Sequence, residues 1–259
     1  MSAKYTVLAI PGTSESHLGD DRIDPYGMTG FVTRELDPAV FECQAVNYPS
    51  SFGYPMSEIE SIQVCLKHLE EMIRATPLPV ILVAYSQGAQ VARQLLALLA
   101  ANNATVADLE VVGAGFLADP YRNPGVNEGP RLDGYGLAGA GPAWPDNIPV
   151  WELSMQFDPI SNSAPDSLLR PVADVLKFFT VTDPVKWAAD MTRMVATGEY
   201  QRGDYTPTPE SVLRAMADMQ NYAVFGMHIK YGSALFPGTN RTFCQHLTDL
   251  INARFGGGD

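Results

Sequence analysis

Three stretches of the chain are apolar at nearly every position over strand length. They are "YTVLAIPG" (5–12), "LPVILVAY" (78–85) and "LEVVGAGF" (109–116). Continuous runs of this kind fit strands buried on both faces, as in the middle of a parallel sheet. "FECQAVNYP" (41–49) alternates instead, and "IPVWELSM" (148–155) supplies a fifth strand. Other segments carry the helical period. In "SEIESIQVCLKHLEEMIRAT" (57–76), Ile59, Ile62, Leu66, Leu69 and Ile73 recur at steps of three and four, and Ser57 with Glu60 forms a capping-box signature. After Ser86, the residues Val91, Ala92, Leu95, Leu96 and Leu99 share one helix face. Strand and helix therefore alternate, which predicts an α/β fold: an open, mostly parallel sheet with helices on both faces.

Two intervals depart from this alternation. Residues 119–146, "DPYRNPGVNEGPRLDGYGLAGAGPAWPD", are crowded with Gly and Pro and predict a long surface loop. Beyond residue 158 the pattern becomes helical. Helices are predicted at 170–179 with Pro171 in the first turn, at 183–198 behind Asp183 and Pro184, at 208–225 behind Thr208 and Pro209, and at 242–255. "GGGD" (256–259) reads as a frayed tail. No internal repeat or flexible linker divides the chain, so one domain over 1–259 is expected, with the helices of 166–226 as an insertion in it.

Serine 86 lies where the third strand passes directly into a helix, in "AYSQG". G-x-S-x-G at such a turn is the nucleophile-elbow pattern, with Ala84 here in the first glycine position. Small residues two before and two after the serine suit a tight corner, where these positions are expected to approach each other. The helix start behind the serine leaves free N–H groups for a developing oxyanion, first of all that of Gln87. A second donor is expected in the loop after the first strand, at Thr13, with Gly12 permitting close approach. The bland alternative for Ser86 is a helix cap.

A hydroxyl needs a base. Of four histidines, His68 and His246 fall on predicted helices, and His17 precedes the serine in the chain. His228, in the glycine-flanked "FGMHIKYG", is the favoured base. The orienting carboxylate belongs between serine and histidine, after a strand. Asp158 in "QFDPIS" is favoured; Asp119 and Asp166 are rivals with turn or capping roles as their simpler readings.

The bulk numbers remove other function classes. Twenty-nine acidic residues against 17 basic ones give a net charge of −12, which repels phosphate backbones. No nucleic-acid partner is expected. No stretch reaches the roughly 20 apolar residues of a membrane span, and the N-terminus lacks the features of a signal peptide. Cys43, Cys65 and Cys244 form no CxxC pattern, so they are expected as buried or unpaired thiols, with one disulfide as the most they could make. No convincing cluster of metal ligands appears, and neither metal nor cofactor is expected.

"AYSQGAQVA", "FLADPYRNPG", "FDPI" and "MHIKYG", in this order, resemble the lysin B enzymes of mycobacteriophages. These are α/β-hydrolases related to cutinases and to mycobacterial cutinase-like and PE-PPE esterases. The resemblance runs from "IPGTS" to the final helix. It carries the family's nucleophile, acid and base onto Ser86, Asp158 and His228, and its Gly-Thr onto Gly12-Thr13. A histidine common before that pair is Pro11 here, and the first glycine of the elbow is Ala84. The implied activity is hydrolysis of the ester joining mycolic acids to arabinogalactan during phage lysis, by an enzyme made in the host cytoplasm and acting at the envelope. No N-terminal peptidoglycan-binding domain is expected, and a monomer is favoured. The helical insertion is implied to shape a lipid site. Within it, Trp187, Met191, Met194, Met216 and Met219 are expected mostly to pack on the core. A general cutinase or short-chain lipase is the alternative enzyme, and a hydrolase-shaped cell-wall binding module the alternative outside catalysis.

Overall fold

The computed structural model describes residues 3–257. Five strands, β1 (Tyr5–Ile10), β2 (Phe41–Ala45), β3 (Val80–Tyr85), β4 (Val111–Leu117) and β5 (Val150–Leu153), form one all-parallel sheet in the order β2-β1-β3-β4-β5. The strands alternate their side chains between two cores. Val80, Leu82 and Ala84 of β3 point into one, shared with α2 (Glu58–Ala75) and α3 (Gln87–Ala100). Ile81, Val83 and Tyr85 point into the other, shared with α1 (Gly27–Thr33) and α7 (Phe243–Ile251). The unbroken apolar run of β3 follows from this two-sided burial.

The capping signatures of the sequence appear as hydrogen bonds. Ser57 and Glu60 cap α2 reciprocally, and Asp183 caps α5 (Pro184–Thr197) through the Lys186 N–H. Thr208 caps α6 (Pro209–Ala223), and Pro171 sits in the first turn of α4 (Leu169–Leu176). Helix α1 had no counterpart in the sequence reading, because "GMTGFVT" is too short to display a period. After α7 the chain makes a π-helical turn over Asn252–Gly256; Gly258 and Asp259 of the expected frayed tail lie outside the described residues. The three cysteines are free, Cys65 and Cys244 being buried. Among the described residues no helix is long and apolar enough to cross a membrane, and no group of three or more His, Cys, Asp or Glu could hold a metal ion.

Residues 119–146 form a long connection without helix or strand, as their composition predicts, and many of them are exposed, but part of the segment folds inward. The Arg122 side chain is fully buried there and donates to the carbonyls of Val126, Gly134 and Ser161. Arg170, equally buried, donates to Gly136 and Ser163. A segment without regular structure leaves carbonyls unpaired, and a guanidinium carries five donors in a fixed fork to satisfy them.

A third buried arginine, Arg93 on α3, fixes the start of this segment. Its Nε donates to Asp119 at 2.7 Å, and Arg93 also pairs with Glu152 of β5. Burial, and then the charge of Asp119, push the Glu152 carboxyl well above its ordinary range. Arg93→Ala would leave two buried carboxyl groups without their cation. We expect it to lose about 3–5 kcal/mol of stability, read from the midpoint of urea unfolding; a loss under about 1 kcal/mol, the range of an exposed pair, would contradict the account.

The expected packing of the insertion's large side chains fails in part. Met194 is buried, and Trp187 packs edge-on against Phe179. Met216 and Met219 are about 60% exposed, with Leu213 and Tyr222 beside them on α6. Helical periodicity marks an apolar face but not what covers it, and on α6 most of that face stays open.

Candidate active site

The strand order reverses between β1 and β3, so the chains leaving their carboxyl ends part and open a crevice, the usual ligand position in such sheets. Ile10 pairs with Ala84. This register sets residues 11–13 alongside Ser86.

Ser86 has φ 54° and ψ −117°, a region costly for a residue with a Cβ. Its flanks hold it there. The Ser86 N–H donates to the Leu117 carbonyl of β4 at 3.0 Å, and its carbonyl accepts from Ala89 and Gln90 of α3. Gly88 is required by close approach to the end of β1. A Cβ on Gly88 would stand 2.3 Å from the Ile10 carbonyl oxygen and 2.6 Å from that of Pro11. The small residue therefore lets α3 press against the end of β1. Gly12 likewise has no room for a side chain, because its Cβ would meet the Tyr85 ring at 2.6 Å.

The structure brings Ser86, His228 and Asp158 together. Ser86 Oγ lies 2.8 Å from His228 Nε2, and His228 Nδ1 lies 3.0 and 3.1 Å from the Asp158 carboxylate oxygens. His228 sits in a single 3₁₀ turn (Met227–Ile229) after α6, and Asp158 in the turn after β5. Ser86 and His228 are each 7% exposed, and Asp158 is fully buried. Burial alone would raise the Asp158 carboxyl. The adjacent His228, with hydrogen bonds from His228, Tyr231 and the Ile160 N–H, outweighs it and holds the carboxyl below its ordinary value.

Several supporting residues were not foreseen. Tyr231 donates to Asp158 Oδ2 at 2.7 Å while accepting from the Met155 N–H, and Ser161 donates to the same oxygen. Tyr85 stacks on the His228 ring and donates to the His228 carbonyl at 2.9 Å. The available signal was proximity in sequence: Tyr231 and Ser161 each stand three residues after His228 and Asp158. The rejected candidates lie elsewhere. Asp119 pairs with Arg93, Asp166 pairs with Arg214 at the surface, and His17 is exposed. His68 lies beside Glu71, and His246 stacks on Phe236.

Gln87 opens α3, and its side chain is turned away to the Ser51 carbonyl. Among the described residues, neither its N–H nor that of Thr13 has a hydrogen-bond acceptor. An open cavity of about 700 Å³ beside His228 is lined by Tyr222, Val224, Phe225 and Ile229. A second, of about 540 Å³, lies at the other end of the sheet around Leu109, Trp144 and Ile148, away from these groups. A serine bonded to an imidazole that is bonded to a carboxylate can lose its proton as it attacks a carbonyl.

A profile of the alpha/beta hydrolase family matches residues 7–240. Among solved structures, lysin B from Mycobacteriophage D29 aligns over 96% of this chain and 100% of its own, with 16% identity and a TM-score of 0.60. A cutinase-like protein from Cryptococcus sp. aligns over 76% of this chain and 96% of its own, with 16% identity and a TM-score of 0.43. No curated protein matches the sequence.

Proposed function

Because this chain belongs to the α/β hydrolase family, we propose that it hydrolyses carboxylic esters through an acyl-enzyme on Ser86. The observation that carries this reading is the hydrogen-bonded series Ser86 Oγ, His228 Nε2, His228 Nδ1, Asp158. Ser86 Oγ attacks the ester carbonyl while its proton passes to His228 Nε2. Asp158 fixes the tautomer with Nδ1 protonated and stabilises the imidazolium. The N–H groups of Gln87 and Thr13 hold the oxyanion of the tetrahedral intermediate. As that intermediate collapses, the ester C–O bond breaks and His228 returns the proton to the leaving alcohol. Water then repeats the sequence on the acyl-enzyme and frees the acid and Ser86.

The substrate we propose is the ester between mycolic acids and arabinogalactan, cleaved at the host envelope in phage lysis by an enzyme made in the host cytoplasm. Support comes from the ordered motifs around Ser86, Asp158 and His228, and from the apolar surface near the site. Residues 166–226 act as a lid within the domain. The open face of α6, with Leu213, Met216 and Met219, and the cavity lined by Tyr222 and Phe225 suit a long alkyl chain.

Two substrates test the reading together. Purified mycobacterial cell wall is assayed for released mycolic acid, and p-nitrophenyl esters of increasing chain length for turnover. We expect release from the wall, and turnover that persists with long acyl chains. Turnover confined to short chains, with no release from the wall, would favour the cutinase reading. Wall binding without any turnover would leave a binding module.

A further inference from the structure

The loop that follows β1 is held by a side chain that the scheme above does not use. Both carboxylate oxygens of Glu15 accept from backbone donors: Oε2 from the Gly12 N–H and Oε1 from the Met28 N–H, each at 2.8 Å. The loop closes on itself where the Glu15 N–H donates to the Gly12 carbonyl at 3.2 Å, and the Ser14 N–H donates to the Ser50 carbonyl at 2.9 Å. Of the four backbone donors in residues 12–15, that of Thr13 alone has no acceptor among the described residues. The loop lies against the nucleophile, since a Cβ on Gly12 would stand 3.2 Å from the Ser86 Cβ.

This conformation does not hold itself. Ser14 has φ 63°, which is left-handed and unfavourable for a residue other than glycine. The guanidinium of Arg22 acts on the Glu15 carboxyl only at a distance: it pairs with Asp20 and bonds the Glu15 carbonyl. Burial raises the Glu15 carboxyl above its ordinary value, against the hydrogen bonds from Gly12 and Met28 and the charges of His228 and Arg22, which lower it. A half-buried carboxyl with no directly paired cation is unfavourable unless its hydrogen bonds satisfy it. Met28 lies in the first turn of α1, whose N-cap residue Tyr26 makes no side-chain cap. Glu15 thus joins a packed helix to the loop beside Ser86.

Resting on the esterase reading, we propose that Glu15 is a positioning residue for ester hydrolysis. By binding the Gly12 N–H and anchoring it to α1, Glu15 removes one competing donor and fixes the Thr13 N–H where the oxyanion forms. The Glu15 side chain touches no reacting atom and acts through the placement of Thr13.

The test compares the full-length wild type with Glu15→Gln and Glu15→Asp. The glutamine keeps the shape but turns an amide N–H against one of the two donors. The aspartate is one methylene too short to reach both. Either variant that folds, judged by its unfolding midpoint, suffices. Rates are normalised to active sites titrated with a fluorophosphonate. We expect kcat on p-nitrophenyl butyrate to fall about 10- to 100-fold, less than the loss from deleting an oxyanion donor outright, with KM within about twofold. Inhibition by a trifluoromethyl ketone, which forms an oxyanion on Ser86, should weaken by the same factor as kcat/KM. Inhibition by the matching secondary alcohol, which forms none, should not change. A lowered unfolding midpoint with unchanged kcat and ketone inhibition would reduce Glu15 to a cap for α1 and overturn the proposal. Absence of ester turnover in the wild type would overturn the esterase reading and this proposal with it.

Discussion

Ser86→Ala is expected to lower ester turnover by about 10⁴- to 10⁶-fold, the range seen when the nucleophile of a Ser-His-Asp unit is removed. The loss should come without unfolding. Ser86 contributes to the fold through its backbone, by the N–H bond to Leu117 and the carbonyl that starts α3, and alanine retains both. The strained φ of 54° is no worse for alanine, which also has a single Cβ. Among the described residues, the side-chain hydroxyl is bonded only to His228 Nε2. An unfolding midpoint within a degree or two of wild type, together with the kinetic loss, would therefore separate chemistry from stability. Mass spectrometry of the wild type after a fluorophosphonate should find one adduct, on Ser86. Wild-type turnover in Ser86→Ala, or an adduct on another residue, would end the proposal for this serine.

The alternation of apolar strands and periodic helices was enough to read the sheet and its two helical layers. Each β3 residue between Val80 and Tyr85 is buried against one of two cores, and that condition alone writes a continuous apolar run. The corner at Ser86 was legible for a similar reason, because a strand passing directly into a helix leaves few residue types that fit. Less legible were features that depend on contacts between distant segments. Gly88 is small because the end of β1 lies behind it, and no local pattern announces that neighbour. The segment 119–146 is legible as a long irregular connection from its Gly and Pro, but not as one whose carbonyls Arg122 and Arg170 satisfy from inside. Nothing near Arg122 or Arg170 in sequence marks these arginines as buried. Met216 and Met219 show the converse: an apolar stripe that the rest of the described chain leaves largely uncovered.

Of the four histidines only His228 bonds the Ser86 hydroxyl among the described residues, and a paired substitution separates it from the rest. His228→Ala is expected to cost about 10⁴- to 10⁶-fold in kcat, because an unassisted hydroxyl is a poor nucleophile at neutral pH. His246→Ala should stay within about twofold of wild-type turnover, its cost appearing as about 1 kcal/mol of stability from the lost stacking on Phe236. Geometry also predicts how the substitutions combine. Ser86 Oγ and His228 Nε2 are 2.8 Å apart and exchange one proton, so they act as a unit. The double variant Ser86→Ala/His228→Ala should then be no slower than the worse of its parents, whereas independent contributions would multiply. Such residual turnover would report the oxyanion donors and substrate binding alone. Multiplying losses, or a His228→Ala enzyme within tenfold of wild type, would show that proton transfer does not run through this imidazole.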